Sequence, residues 1–413
     1  MMQPYKTCER GENLKKALCF DPADERQAGD PSVPADVKEE LSADETVAFI
    51  YPDEEKQLLY EIERIVSVTS YDGKTRYEYG RDYVLKNGKL ALAARSAIPV
   101  MTPELYYSDG DEPILKVLKP DGSESPCCFF GARELGAYQV RVTYTHPGSG
   151  GIIPPGHGRY GRFLRLLESG ADATVLFHGD SITYGADASL ARKQPPFAPS
   201  FPIRFVLALA QKYDYSVRFA TAGADHTYGG PFPEAPRGGR GTVTLVNTAV
   251  GGWTSEDGVN RLETHIAPQV KRYGCDLFVL GYGMNDGQRS PETTAGNCEK
   301  IVRRVLSLRP NASVMLVSTM LPNPDALHGW NANQAFQEPE LVKLADKLNA
   351  GGVPCDVAKM TSVSAEILKR KKFIDVTGNN INHPNDYLSR VYSETLLAAL
   401  TGGNESRSQG RSV

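Results

Sequence analysis

The hydrophobic pattern of the chain changes character twice. Residues 1–44 are polar, with scattered Pro and Asp, and read as an N-terminal extension. From 45 to about 145 short β-prone runs alternate with tight turns. Ile65-Val66-Ser67-Val68-Thr69 leads through Asp72-Gly73 to Arg76-Tyr77-Glu78-Tyr79. Tyr83-Val84-Leu85 leads through Asn87-Gly88 to Leu90-Ala91-Leu92. Asp-Gly and Asn-Gly between such runs predict hairpins. The stretch 138–144 alternates as a half-buried strand does. A β-sandwich or jelly roll over 45–150 is the expectation. Residues 147–158 are rich in Gly and Pro, and 151–171 read as a linker.

After residue 172 strands and helices alternate. Ala173-Thr174-Val175-Leu176-Phe177-His178 is an apolar run with the length of a buried strand. Helices are predicted at 202–212, 298–308, 338–348 and 387–400, and strands at 217–220 and 313–318. The alternation predicts an open α/β sheet. The expected unit runs from 172 to 403, and 404–413 read as a polar tail.

Four segments carry candidate chemistry. Gly179-Asp180-Ser181-Ile182-Thr183 follows the first strand and breaks at Tyr184-Gly185-Ala186. A serine on a tight strand-to-helix turn is held clear of the sheet, where a substrate can reach it. A Gly-Asp turn with a serine cap would look the same. Asn247-Thr248-Ala249-Val250-Gly251-Gly252-Trp253 runs from a strand into a double glycine. There backbone N–H groups can approach a ligand without an intervening Cβ. Leu280-Gly281-Tyr282-Gly283-Met284-Asn285-Asp286 ends a third strand with a side-chain amide. Asn379-Asn380-Ile381-Asn382-His383-Pro384 brings a histidine ahead of the last helix. Singly, Gly252 reads as a turn glycine, Asn285 as a loop cap and His383 as a surface residue. Together they suit a site at the carboxyl edge of an α/β sheet.

In these motifs the sequence resembles the GDSL or SGNH hydrolases, over roughly residues 172–400. Gly-Asp-Ser at 179–181, Gly-x-Asn-Asp at 283–286 and His-Pro at 383–384 carry the resemblance. It maps the family's four markers onto Ser181, Gly252, Asn285 and His383. It implies a flavodoxin-like three-layer α/β/α domain and ester hydrolysis. Ser181 would be the nucleophile and His383 its base. The N–H groups of Ser181 and Gly252 and the Asn285 amide would form the oxyanion hole. A β domain ahead of such a domain is similar to the layout of carbohydrate esterase family 2. The Gly-x-Ser-x-Gly pattern of α/β-hydrolases is absent, since Thr183 holds its last place.

One position departs from the family. Where an aspartate three residues before the histidine would orient the ring, this chain has Asn380. The expectation is a Ser-His dyad with Asn380 or a main-chain oxygen on the imidazole. Asp375 and Asp386 are the alternative acids. His178 should face away from Ser181 and serve packing or hydrogen bonding. Asp180 should tie down the turn, with substrate contact as its other reading. Asp286 could pair with a loop or touch substrate. Trp253 and Trp330 are candidates to stack on a sugar ring. The segments 222–241 and 322–337, with His226 and His328, should shape the pocket.

Composition narrows the function classes. With 40% apolar and 23% charged residues, the chain has the make-up of a globular protein. A net charge of −4 leaves no basic footprint for nucleic acid. No apolar run approaches a membrane span. The first ten residues lack the apolar core of a signal peptide, which points to the cytoplasm. Seven scattered cysteines, Cys127 and Cys128 adjacent, argue against a disulfide framework, and no spacing suggests a metal site or other cofactor. What the resemblance implies is the activity of a serine esterase removing short acyl groups, acetyl above all, from carbohydrate. Lipase- or thioesterase-like hydrolysis, transfer of the acyl group to a sugar hydroxyl, and an inactive binding scaffold are the alternatives. A homo-oligomer stays open.

Overall fold

The computed structural model describes residues 39–108, 114–129, 135–148, 151–223, 226–327 and 331–402. Among the described residues, nine strands precede residue 173. They are β1 (Glu39–Ala48), β2 (Glu55–Lys56), β3 (Arg64–Ser70), β4 (Arg76–Tyr77), β5 (Tyr83–Lys86), β6 (Lys89–Leu92), β7 (Leu115–Leu118), β8 (Glu124–Cys127) and β9 (Gln139–Pro147). All their mutual pairings are antiparallel: β1-β9-β3-β4, β2-β6-β5 and the hairpin β7-β8. Both expected hairpins form. Asn87 and Gly88 take φ 52° and 74°, the left-handed pair that a two-residue hairpin turn requires. Along β9 the alternate residues Val140, Val142 and Tyr144 are buried against Val47, Phe49 and Val68. β1 starts ahead of the expected boundary at 45. The rest of the N-terminal extension and the tail lie outside the described residues.

Six strands form the second sheet: β10 (Ala173–Gly179), β11 (Ser216–Ala220), β12 (Thr242–Asn247), β13 (Leu277–Gly281), β14 (Ser313–Val317) and β15 (Cys355–Ala358). The order is β11-β12-β10-β13-β14-β15, all parallel. Strand alternation divides the core. Val175, Phe177, Val243 and Val279 point to the helices Gly161–Ser169, Phe201–Tyr213, Met360–Leu368 and Asp386–Thr401. Leu176, Val246, Phe278 and Leu316 point to Ala267–Tyr273, Pro291–Leu308 and Gln337–Ala350. This is a three-layer α/β/α sandwich behind an antiparallel β unit. β10 is central, and the chain crosses from one side of it to the other between β12 and β13, where open sheets bind ligands.

Two segments differ from expectation. Residues 151–171 are more than a linker, because Gly161–Ser169 is a helix whose Phe163 and Leu167 enter the core. The helix expected from 298 begins at Pro291, because Ser290 caps it by accepting from the Thr293 N–H and proline suits the first turn.

The two units share a polar seam. Lys371 Nζ meets Glu45 Oε1 at 2.5 Å with both side chains fully buried, and Lys56 Nζ meets Asp375 Oδ1 at 3.2 Å. Gln139 Nε2 donates to the carbonyls of Ile374 and Thr377 at 2.8 and 3.0 Å. Removing one member of such a buried pair strands the other charge, so the seam resists separation.

Candidate active site

Ser181 stands at the carboxyl edge of β10. Asp180 caps the short helix Ser181–Tyr184, its Oδ1 accepting from the Ile182 N–H at 3.0 Å, and Gly185 ends the helix at φ 97°. Gly179 has a steric reason. A Cβ there would lie 2.0 Å from the Gly281 carbonyl oxygen, which also accepts from Thr183 Oγ1 at 3.1 Å.

His383 lies against the serine, with Nε2 2.8 Å from Ser181 Oγ. Its Nδ1 is 2.8 Å from Asp187 Oδ2. The carboxylate requires a proton on Nδ1, which turns the Nε2 lone pair to the serine. The histidine loop is tied by Asn379, whose Oδ1 accepts from the N–H groups of Ile381, Asn382 and His383 at 2.9 to 3.1 Å. Asp187 sits at φ 67° on the loop beyond Gly185, and Arg192 Nε donates to its Oδ1 at 2.7 Å. A Cβ on Gly378 would lie 2.5 Å from Asp187 Cβ, so glycine there lets the two loops meet. Burial opposes ionisation of Asp187, but His383 and Arg192 outweigh it and hold the carboxyl below its ordinary range.

Asp187 was absent from the sequence-based candidates, and the three that were named do not face the ring. Asn380, at φ 68°, turns to the β unit and donates to the Cys128 carbonyl at 3.2 Å and Cys127 Sγ at 3.3 Å. Asp375 accepts from the Ala48 N–H at 2.8 Å and pairs with Lys56 in the seam. Asp386 opens the last helix and accepts from the Ser189 N–H at 2.8 Å. The local geometry is therefore a Ser-His-Asp chain rather than a dyad oriented from 380.

Two loops face the serine from β12 and β13. Gly252 has φ 78°. Among the described residues neither the Ser181 nor the Gly252 N–H has a protein acceptor. Asn285 Nδ2 donates to the Trp253 carbonyl at 2.9 Å, which fixes the amide and leaves its second proton for a ligand. Asn285→Ala is expected to lower kcat for ester hydrolysis by about 10²–10³-fold with a smaller change in KM, read by steady-state kinetics.

A buried network stands beneath the Gly252 loop. Thr248 Oγ1 donates to the Phe177 carbonyl at 2.9 Å, so it accepts from His178 Nδ1 at 2.9 Å. His178 Nε2 then accepts from Tyr282 Oη at 2.8 Å. His265 Nε2 donates to the Thr248 carbonyl at 2.8 Å. His178 thus turns away from Ser181, and burial pushes it down to about 3 from 6.5. Asp180 moves the other way, up to about 7 from 3.8, through burial reinforced by the charge of Asp286.

These shifts act on stability with opposite signs. The unfolded chain binds the His178 proton below 6.5 and the folded one does not until about 3, so this group destabilises the fold as pH falls through that window. Asp180 keeps its proton in the fold up to about 7 and loses it near 3.8 when unfolded, so its contribution is lost as pH rises. Removing His178 deletes the first slope alone. The destabilisation by His178→Gln, measured by urea unfolding, is expected to shrink by up to about 1.4 kcal/mol for each pH unit below 6.5.

Asp286 is fully buried, accepting from the Ser255 N–H and Oγ at 3.0 and 2.7 Å, and Arg289 lies 3.7 Å away. Asp180 is also buried and serves the turn. Neither lines the cleft, so neither is placed to touch substrate. Trp253 does line it, with the Arg261 guanidinium 4.9 Å from its ring centre. Trp330 and His328 lie outside the described residues. The cleft, about 810 Å³, has Ser181, His383, Gly252 and Asn285 in its wall, with His226 from the 222–241 segment and Ile114 and Phe129 from the β unit.

A serine, an imidazole and a carboxylate thus stand in line at the carboxyl edge of the parallel sheet of a three-layer α/β/α unit. The chain belongs to the GDSL-like lipase/acylhydrolase family, whose model matches residues 177–386, half of its length. No curated protein matched the sequence. Among solved structures it is similar to a two-domain esterase active on acetylated mannans, at 18% identity and TM-score 0.42, over 60% of this chain and 54% of that one. An acetyl xylan esterase matches at 17% identity and TM-score 0.37, over 55% of this chain and 99% of its own. A Clostridium thermocellum family 3 carbohydrate esterase matches at 14% and 0.38, over 56% and 100%. The chain thus spans about half the length of the two-domain esterase it matches.

Proposed function

We propose that this protein is a serine esterase that removes short acyl groups, acetyl above all, from carbohydrate. The observation that carries the reading is the line Ser181 Oγ, His383, Asp187, with both contacts at 2.8 Å.

The steps follow from what each group can do. Ser181 Oγ attacks the ester carbonyl as its proton moves to His383 Nε2. The carbonyl electron pair moves onto oxygen, where the N–H groups of Ser181 and Gly252 and the Asn285 amide donate to it. Collapse restores the carbonyl and expels the alcohol oxygen, which takes the proton from Nε2. Water then attacks the acyl-enzyme by the same route, and its proton passes through Nε2 to the serine oxygen. Asp187 stays ionised throughout and stabilises the imidazolium.

The substrate class rests on the cleft wall. Asn285, Asn379 and Asn382 line the cleft together with Tyr184, Phe129 and Trp253. Such a surface suits sugar rings better than an extended acyl chain, which needs a continuous apolar tunnel. The test is hydrolysis of p-nitrophenyl acetate, butyrate and octanoate, with an acetylated xylo-oligosaccharide alongside. Activity highest on acetate and present on the oligosaccharide is expected. Preference for octanoate would contradict the short-acyl reading, and no release of acetate from the oligosaccharide would contradict the carbohydrate one.

A further inference from the structure

The β7–β8 hairpin reaches the cleft from the N-terminal unit. Ile114 precedes β7 and Phe129 follows β8, and both line the cleft that holds Ser181 and His383. The hairpin is locked in place. The Leu118 N–H donates to the Asp325 carbonyl at 3.0 Å, and the Leu327 N–H to the Lys116 carbonyl at 2.9 Å. Asn380 donates to Cys128. Ile381, two residues before His383, is buried in one apolar cluster with Val117 and Cys127, and Phe129 packs against that cluster. Phe129 therefore stands on the histidine side of the cleft.

That side has a chemical meaning. His383 Nε2 must reach the leaving oxygen, whereas the carbonyl oxygen faces Gly252 and Asn285. The alcohol portion of the ester then lies toward the histidine loop. We infer that Ile114 and Phe129 receive the sugar ring that carries the acyl group and so set the leaving-group specificity. Ile114 is 57% exposed, which is unusual for a large apolar side chain beside a polar site. The half-buried Phe129 ring presents an apolar surface to the C–H face of a pyranose. Asn382 supplies the polar complement. Its Oδ1 is taken by Asn379 Nδ2 at 3.0 Å, and its own Nδ2, which has no protein acceptor among the described residues, is left to donate to a sugar hydroxyl. The β unit is on this account a wall of the active site, and the inference rests on the carbohydrate reading above.

Two acetate esters that differ only in the alcohol test it. The ratio of kcat/KM for an acetylated xylo-oligosaccharide to that for p-nitrophenyl acetate is independent of the fraction of folded enzyme, so a partly unfolded variant does not confuse it. Phe129→Ala is expected to lower this ratio about tenfold through KM for the oligosaccharide, and Phe129→Tyr to restore it within about twofold. Ile114→Ser should lower it in the same direction. A ratio unmoved by Phe129→Ala and Ile114→Ser, in an enzyme whose wild type hydrolyses the oligosaccharide, would overturn this inference alone. A wild type inactive on the oligosaccharide would overturn the carbohydrate reading and this inference with it.

Discussion

Asp187→Asn is expected to lower kcat for ester hydrolysis by about 10³–10⁴-fold while KM changes little. The loss follows from which atom faces the ring. Arg192 donates to Oδ1 of Asp187, so in the variant the amide oxygen is drawn to the guanidinium. The amide nitrogen then faces His383 Nδ1, at the place of an oxygen that accepts at 2.8 Å. An N–H donor there forces Nδ1 to accept, puts the ring proton on Nε2, and leaves no base for Ser181. The reciprocal substitution separates this account from one centred on position 380. Asn380→Asp is expected to bring no gain in kcat. Its side chain donates to the Cys128 carbonyl and Cys127 Sγ, so a carboxylate there would set a buried charge against a carbonyl oxygen in place of that bond. A cost of about 1–3 kcal/mol, read as a lower Tm, is the expected result. A hundredfold gain from Asn380→Asp, with Asp187→Asn near wild type, would place the orienting acid at 380.

Ser181→Ala is expected to cost about 10⁶-fold in kcat, the scale found when a serine hydrolase loses its nucleophile. The informative comparison is the double variant. Once the serine oxygen is gone, His383 has no proton to remove and Asp187 no imidazolium to stabilise. Ser181→Ala/Asp187→Asn should therefore be no slower than Ser181→Ala, both resting on whatever the oxyanion donors supply. A further thousandfold loss in the double variant would mean that His383 and Asp187 activate water directly once the serine is gone, so that the three groups do not act as one unit.

The parts of this protein that were legible in its sequence are those written locally. A strand that runs into Gly-Asp-Ser, Gly-Gly or Gly-x-Asn announces both its own end and the polar group it carries, and β10, β12 and β13 end at these motifs. The hairpin at Asn87-Gly88 was legible for the same reason, since few residue pairs accept two positive φ values. Asp187 was not. It follows the serine by six positions on an irregular loop, and its contact is with a residue far along the chain at 383. No periodicity marks such a residue. The signal that existed was steric, a glycine at 378 opposite the loop, and it has meaning only once both loops are seen together. Asn380 misled for a related reason. Spacing placed it three residues from the histidine, but its left-handed φ aims the side chain at the β unit. The helix Gly161–Ser169 hid within a segment whose Gly and Pro content suggested a linker.

The measurement that bears most directly on the central claim is covalent labelling with a p-nitrophenyl phosphonate ester, followed by peptide mass spectrometry. The account requires one phosphonyl group per chain, on the peptide that carries Ser181, with one equivalent of p-nitrophenolate released. In Asp187→Asn the same label should form about 10³-fold more slowly. Labelling at another residue, or labelling of Ser181 at the wild-type rate in Asp187→Asn, would contradict a nucleophile activated through His383 and Asp187.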